Sequence, residues 1–346
     1  HFVGRAALAF LARSLKVFAE AIVRRSQVMR QWRSYVVLVV VAAAGIPEGY
    51  PSVPIKGIGG GHISMPLIGL GTWLYNDTVA GAAVSAALGL GYRAVDTAAV
   101  YKNQRGIGEV LAKFSRDEFF VTSKIPGGLN ASASVSALDA CLSDLQLDYV
   151  DLMLLHWPAQ TLAAVQEQWL ALEEWAKSGK ARAIGISHYC KAQMEAVLKV
   201  ATLPIAVNQN QYHVGMGHDT QPRLHDKTFA ESHGILYEAY SSLCGPCPEP
   251  HNTELITGPL VTSIGRVHNK SGSQVALRWV VQQGIPVIPK SASPKHLQSN
   301  FDIFDFELTD AEMATLSAAT SPPETGTPQA PDDAQDCSAE GSPVVV

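Results

Sequence analysis

Eight short, largely apolar runs recur along the chain, at residues 67–71, 92–96, 119–124, 149–156, 183–187, 206–209, 235–240 and 286–290. Between them lie segments whose apolar residues fall three or four apart, as in Val135, Leu138, Leu142 and Leu145, or Val165, Trp169, Leu172 and Ala176. Strands that are apolar nearly throughout are buried on both faces, and a helix between each pair supplies the cover, so the pattern predicts a parallel sheet. Eight repeats are enough to close that sheet into a (β/α)8 TIM barrel of about 250 residues. Ahead of it, residues 54–71 predict a glycine-turned β-hairpin running into the first strand. Gly57, Gly59 and Gly60 also suggest a phosphate loop, but such a loop must open a helix after a strand, whereas here Pro66 and more strand follow.

The flanks have a different texture. Residues 1–47 hold seven basic side chains and one acid, Glu20, which leaves about −11 of formal charge on the remainder when the whole chain carries −5. An acidic remainder argues against a nucleic-acid surface, because phosphate binding needs a positive patch. From Met29 a basic stub, a short apolar run and small residues have the layout of a secretory signal peptide, and the longer arginine-rich segment from residue 1 has that of an organelle transit peptide. A cytoplasmic location is expected if that segment is not used. The apolar run at residues 35–46 is shorter than the roughly 20 residues of a spanning helix, so no stable membrane insertion is expected. Residues 321–346 are rich in Pro, Ser, Ala and acids and lack basic residues, which predicts a disordered acidic tail. The expected organisation is therefore a targeting or disordered segment at 1–47, a barrel at 48–320 and a tail at 321–346.

Three of the apolar runs end in side chains that handle protons. The stretch 92–101 leaves Asp96 and Tyr101 at its C-terminal end, the run at 119–124 delivers Lys124, and that at 149–156 delivers His156. In a parallel barrel, successive strand ends meet on one face. A tyrosine ordinarily titrates near 10; an ammonium beside it lowers that value, and a carboxylate beside the ammonium keeps it charged and aimed. Histidine can donate to a substrate oxygen or relay a proton. Taken one at a time, each residue has a structural reading: buried Asp and Lys pair within cores, and a strand-end Tyr packs. Four of them at the ends of three neighbouring strands favour a single proton-donating site for a carbonyl oxygen.

The motifs G-L-G-T-W (69–73), V-D-T-A-x-x-Y (95–101), T-S-K (122–124), L-D-Y-V-D-L-x-L-L-H-W-P (147–158), G-K-x-R-A-I-G-I-S (179–187), V-N-Q-x-Q-Y-H (207–213), A-Y-S-x-L (239–243) and V-I-P-K-S (287–291) resemble the aldo-keto reductase family in order and spacing. Within that family they are similar to the short-loop branch that includes diketogluconate reductases and prostaglandin F synthase-like enzymes. The resemblance implies reversible reduction of aldehydes and ketones by NADPH, in preference to NADH, on a monomeric barrel without a Rossmann domain. It implies a catalytic set of Asp96, Tyr101, Lys124 and His156, with Tyr101 as general acid. It further implies a nicotinamide carboxamide held by Ser187, His188 and Gln209, with Tyr240 stacked on the ring and Ser241 and Leu243 along the pyrophosphate. Lys290 and Ser291 would meet the 2′-phosphate and Asn300 the adenine, while Gly71, Thr72, Asp96 and His296 complete the cofactor set. His188 stands where the family usually has asparagine, and His296 where many members have arginine, so NADPH preference would rest on Lys290 and Lys295.

Trp73 and Trp157 flank the site motifs and, with Tyr101 and His156, are expected to wall a substrate pocket. The short connection after His156 predicts an open pocket and broad acceptance of small carbonyl compounds. Cys244-Gly245-Pro246-Cys247 has the letters of a thioredoxin site, but Pro248 and Pro250 leave no helix to stabilise a thiolate, so two ordinary loop cysteines are expected in preference to a redox switch. No clustered Cys and His ligands suggest a metal site. A cofactor-sensing or redox-regulated binding protein with little turnover is the alternative, disfavoured by the intact set of four. A metal-dependent hydrolase would need a His-x-His pair after the first strand, and residues 69–73 offer none.

Overall fold

A computed structural model of the chain describes residues 45–216, 222–243 and 254–319. The expected targeting segment (but for its last residues), the acidic tail, Cys337 and the Cys244–Cys247 pair lie outside the described residues. β1 (Ser52–Lys56) and β2 (His62–Pro66) pair antiparallel, Ser52 opposite Pro66 and Lys56 opposite His62. The glycines at 57–61 form the turn, which Gly57 N closes by donating to Gly61 O at 2.8 Å. This is the expected hairpin.

The barrel sheet runs in chain order through β3 (Leu70–Gly71), β4 (Ala94–Asp96), β5 (Phe120–Ile125), β6 (Val150–Leu155), β7 (Ala181–Ser187), β8 (Val207–Gln211) and β9 (Leu236–Tyr240), all neighbours parallel. The eighth predicted strand is reduced to a bridge: Val287 pairs with Ile68 on one side and Ala239 on the other. Its brevity follows from the sequence P-V-I-P. Pro286 and Pro289 have no N–H, so only Val287 and Ile288 donate, to Leu67 O and Ala239 O. The carbonyls of Pro286, Val287 and Pro289 accept from Ala239, Gly69 and Gly71, and the sheet closes.

Period-two alternation sorts the side chains. Val95, Val121, Met153, Leu155, Ile184, Ile186 and Tyr237 point outward into the main core against the helices. Ala94, Phe120, Leu152, Leu154, Ala183 and Val207 fill the barrel interior, and Ile55 and Met65 of the hairpin join that inner cluster. The inner layer is therefore apolar at the hairpin end. Two or four residues further along the strands it becomes polar, with Asp96, Lys124, His156, Ser187, Gln209 and Glu238 all buried.

The connecting helices follow the expected spacing with one exception. In the helix Leu162–Trp175 the residues Val165, Trp169 and Leu172 are buried, as is Ala176 just beyond it. In the helix Ala131–Leu145, Leu138, Leu142 and Leu145 are buried but Val135 is exposed. Ser134 takes the inward position of that first turn instead, its hydroxyl donating to Leu129 O. Among the described residues no helix is long and apolar enough to cross a membrane.

Candidate functional site

The C-terminal ends of β4, β5 and β6 bring the four proton-handling residues together. Lys124, with no exposed surface, donates from Nζ to Asp96 Oδ1 at 2.6 Å and to Thr97 O at 3.0 Å. After β4 the chain turns through a 3-10 segment, Ala99–Tyr101, and Lys102 ends it in the left-handed region. That turn swings Tyr101 back over the strand ends, where its ring centre lies 5.2 Å from Lys124 Nζ and 5.5 Å from the His156 ring, edge to face.

Charge settles around this cluster in a definite way. Burial pulls the Lys124 ammonium down, but Asp96 and Tyr101 push it up by more, so it stays charged. Burial, helped by the Lys124 charge and His188, holds His156 well below the ordinary histidine value of 6.5, so its ring is neutral at neutral pH. Tyr101 departs from the sequence-based expectation of a lowered value. Burial raises it, Lys124 lowers it and Asp96 raises it again, and the balance lies above the ordinary phenol value. The reason is burial of the phenol first, and then the Asp96 carboxylate, which at 2.6 Å from the ammonium offsets part of its field.

Residues at the ends of β7, β8 and β9 lie beside this cluster. Ser187 Oγ donates to Gln209 O at 2.8 Å, and His188 N donates to the same carbonyl at 3.1 Å. His188 has φ of 63°, the left-handed region, and its Nδ1 lies 2.8 Å from His156 O and 2.9 Å from Ser187 Oγ. Its ring packs 5.0 Å from that of half-buried Tyr240, and His156 in turn packs 4.7 Å from Trp157. Gln209 donates from Nε2 to Asp96 Oδ2 at 2.9 Å and to Glu238 Oε2 at 2.8 Å. An amide oxygen cannot face the Asp96 carboxylate, which needs a donor, so this orientation of the amide is dictated, and among the described residues no hydrogen bond reaches Oε1.

Trp73 and Trp157, both half-buried, are held by their loops. Asn103, fully buried, donates from Nδ2 to Thr72 O at 2.8 Å and Tyr75 O at 3.0 Å and accepts from Thr97 Oγ1 at 2.9 Å. Thr72 Oγ1 donates to Asp96 O at 2.8 Å, so the Trp73 loop is tied to the strand that carries Asp96. Gly127 lies directly against the Trp157 backbone, where any Cβ would collide.

The residues expected along the cofactor divide into those gathered here and those set apart. Gly71 ends β3, and a Cβ there would strike Ile288 O. Ser241, with φ of 57°, and half-buried Leu243 follow β9. Lys290 is exposed, its Nζ 5.1 Å from the Tyr75 ring centre and 5.9 Å from that of Trp73. Ser291 Oγ accepts from Ser293 N at 3.1 Å ahead of the helix Pro294–Phe301, whose first turn carries exposed Lys295 and His296 and which buries Asn300. That helix has no side-chain cap at its N-terminus. Among the described residues no group of three or more His, Cys, Asp or Glu side chains is arranged to hold a metal ion. Two residues that sequence reasoning missed are Asn103 and Glu238. For Glu238 the signal was present, since it lies two residues before Tyr240 on one strand and so shares its face.

The arrangement has counterparts in known proteins. Residues 67–320 match the model of the aldo/keto reductase family. The glyoxal reductase of Bacillus subtilis is 38% identical over 260 residues, covering 74% of this chain and 89% of that protein. The morphine 6-dehydrogenase of Pseudomonas putida is 35% identical over 263 residues, covering 73% and 87%. Among solved structures, an aldo/keto reductase from Brucella melitensis superposes with a TM-score of 0.68 at 32% identity, covering 77% of this chain and 98% of that one. The aldose reductase of Schistosoma japonicum gives 0.67 at 29%, covering 79% and 94%. With the fold, the site motifs and the family model in agreement over the whole barrel, the chain belongs to the aldo/keto reductase family.

Proposed function

We propose that this protein reduces aldehydes and ketones to alcohols with NADPH, reversibly, and that Tyr101 donates the proton. The observation that carries this reading is the buried Lys124–Asp96 pair directly beneath Tyr101, with a neutral His156 at its edge. The named activities of the relatives, a glyoxal reductase and a morphine 6-dehydrogenase, support an exchange between carbonyl and hydroxyl groups.

A substrate carbonyl placed between Tyr101 and His156 would accept a hydrogen bond from each. As negative charge grows on its oxygen, Tyr101 transfers its proton, and the phenolate left behind is stabilised by Lys124. A raised phenol value suits this task, because the acid form persists at neutral and mildly alkaline pH and gives up its proton only to a strongly basic oxygen. His156, held neutral, orients the carbonyl by hydrogen bonding and does not compete as an acid. Trp73 and Trp157 offer flat apolar walls, which suit small carbonyl compounds of varied shape.

A dihydronicotinamide supplies the hydride when bound. The site fits it on two counts: among the described residues no hydrogen bond reaches Gln209 Oε1, which leaves it as an acceptor for a carboxamide N–H, and Tyr240 presents a half-buried ring 5.0 Å from that of His188. Ser187 and His188 would complete the carboxamide contacts, and Ser241 and Leu243 would flank the pyrophosphate. The uncapped N-terminus of Pro294–Phe301, with Lys290, Ser291, Lys295 and His296 around it, suits the extra phosphate of NADPH and favours it over NADH.

The test is NADPH oxidation against a panel of small aldehydes, ketones and dicarbonyls, with Tyr101→Phe alongside. Turnover of several panel members, reduced by roughly 10²–10⁴-fold in the variant, is the expected result. NADPH binding without turnover of any carbonyl would instead favour a cofactor-sensing protein on the same barrel, and a fully active Tyr101→Phe would remove Tyr101 as the acid.

A further inference from the structure

Glu238 is a buried carboxyl group that the proposed reaction leaves without a task. It sits in the middle of β9, 1% exposed, directly opposite Gln209 in the β8–β9 register. Its Oε2 accepts from the same Gln209 nitrogen that donates to Asp96 Oδ2. Two carboxyl groups therefore share one NH2, and together they fix which end of the amide faces outward.

The charge count makes this arrangement unusual. Lys124 is the cation of the cluster and is already 2.6 Å from Asp96. Glu238 has no ion-pair partner among the described residues. The ionisable groups that face it are Asp96 of β4, Lys124 of β5 and Tyr101 of the loop between them. On its flanks, β8 reads V-N-Q-N-Q and residues 286–289 read P-V-I-P, and neither contributes an ionisable side chain. Tyr240 is the phenol on its own strand and face. Burial first, and then the Asp96 charge, push the Glu238 carboxyl up to about 8, while Gln209 and Lys124 pull it down.

We infer that Glu238 is a positioning residue with a proton-dependent action: through Gln209 it aims the free amide oxygen at the nicotinamide carboxamide, and its ionisation weakens Tyr101 as an acid. With Glu238 protonated, Lys124 and Asp96 are the only formal charges beneath Tyr101 among the described residues. When Glu238 ionises, a second negative charge enters the cluster and raises the phenol further, since Tyr101 already feels that charge. The same negative charge favours the positively charged oxidised nicotinamide over the neutral reduced one. The inference rests on the carbonyl-reductase reading and adds to it an internal pH control that slows carbonyl reduction and favours NADP+ over NADPH in binding as pH rises.

The test compares wild type, Glu238→Gln, which keeps an acceptor for Gln209 but cannot ionise, and Glu238→Leu, which has no acceptor. In wild type, kcat for carbonyl reduction should fall through a limb near pH 8. In Glu238→Gln that limb should disappear or move upward by a pH unit or more. Glu238→Leu should raise KM for NADPH by about tenfold, the loss expected for one misaligned hydrogen bond, with a smaller effect on kcat. Binding of NADPH and of NADP+ is followed in parallel by quenching of tryptophan fluorescence. The ratio of the two affinities should drift several-fold toward NADP+ with rising pH in wild type and stay flat in Glu238→Gln. A wild type that binds both forms but turns over no carbonyl refutes the reductase reading and leaves the binding ratio to decide on Glu238. An alkaline limb or a drifting ratio identical in wild type and Glu238→Gln overturns the inference, turnover or not.

Discussion

Replacing Lys124 by methionine separates what the buried ion pair does for the fold from what it does for the reaction. Methionine fills much of the lysine stem's space, so packing inside the barrel is nearly conserved, but Asp96 is left 3% exposed with the Gln209 amide as the remaining hydrogen-bond donor to its carboxylate among the described residues. Removing one partner of a buried pair typically costs about 3–5 kcal/mol, because the remaining charge is uncompensated. Converting Asp96 to asparagine in the same chain removes that charge. The double variant should therefore regain about 2 kcal/mol or more over Lys124→Met alone. Activity should follow a different course. With no cation beneath Tyr101, nothing stabilises the phenolate formed on proton transfer, so kcat should fall about 100-fold or more in both variants. Urea denaturation followed by tryptophan fluorescence gives the first quantity, and steady-state NADPH oxidation gives the second. A double variant that recovered activity along with stability would refute the reasoning, since the pair would then serve the reaction only by holding the barrel together.

Two further expectations follow from buried charges. At the other end of β6, Asp151 is 1% exposed and accepts from Arg116 at 2.6 Å, Arg182 at 2.7 Å and Val121 N at 2.8 Å. Asp151→Asn should destabilise the fold by about 2–4 kcal/mol while leaving kcat within about twofold, and a large loss of kcat at full stability would contradict its purely structural place. Stability against pH should show two opposed slopes. His156 is held far below 6.5, so below that pH the unfolded chain binds a proton the folded one does not, and stability falls as pH drops, by at most about 1.4 kcal/mol per pH unit. Glu238 works the other way: folded, it keeps its proton from the ordinary 4.5 up to about 8, so stability falls as pH rises across that window. Tm measured against pH should thus lose its alkaline slope in Glu238→Gln and its acid slope in His156→Gln. A Tm profile unchanged in either variant would show that the group is ionised alike in both states.

Much of this was legible in the chain because the fold's periodicities are strict. Strand runs bounded by amphipathic helices gave the barrel, and the placement of Asp96, Lys124 and His156 two residues beyond inward-facing Ala94, Thr122 and Leu154 put all three on the inner face. What escaped depends on quantities that spacing does not carry. The exposure of Val135 turns on where one helix begins relative to the sheet, not on its period. The shrinking of the eighth strand to Val287 was implicit in two prolines but concealed by an apolar run that reads as a full strand. Trp73 was recognisable as an aromatic beside a strand end, whereas its anchoring depends on Asn103, which reaches in from a different loop to two carbonyls of the Trp73 loop.

The phenol of Tyr101 and the carboxyl of Glu238 belong together in this respect. Sequence order supplies a lysine near a tyrosine and so suggests a lowered phenol value, but the sign is decided by burial and distance. Burial raises the phenol most, and the Asp96 carboxylate 2.6 Å from the ammonium offsets part of the lysine's opposing field. Glu238 enters the same balance from β9, through an amide that cannot turn round while the Asp96 carboxylate faces it. A cluster with one ammonium and two carboxyl groups is close to neutral only while one carboxyl is protonated, and burial enforces that state up to about pH 8. The acid strength of Tyr101 is therefore a property of the whole cluster, set by three strands distant in sequence, and no single motif contains it.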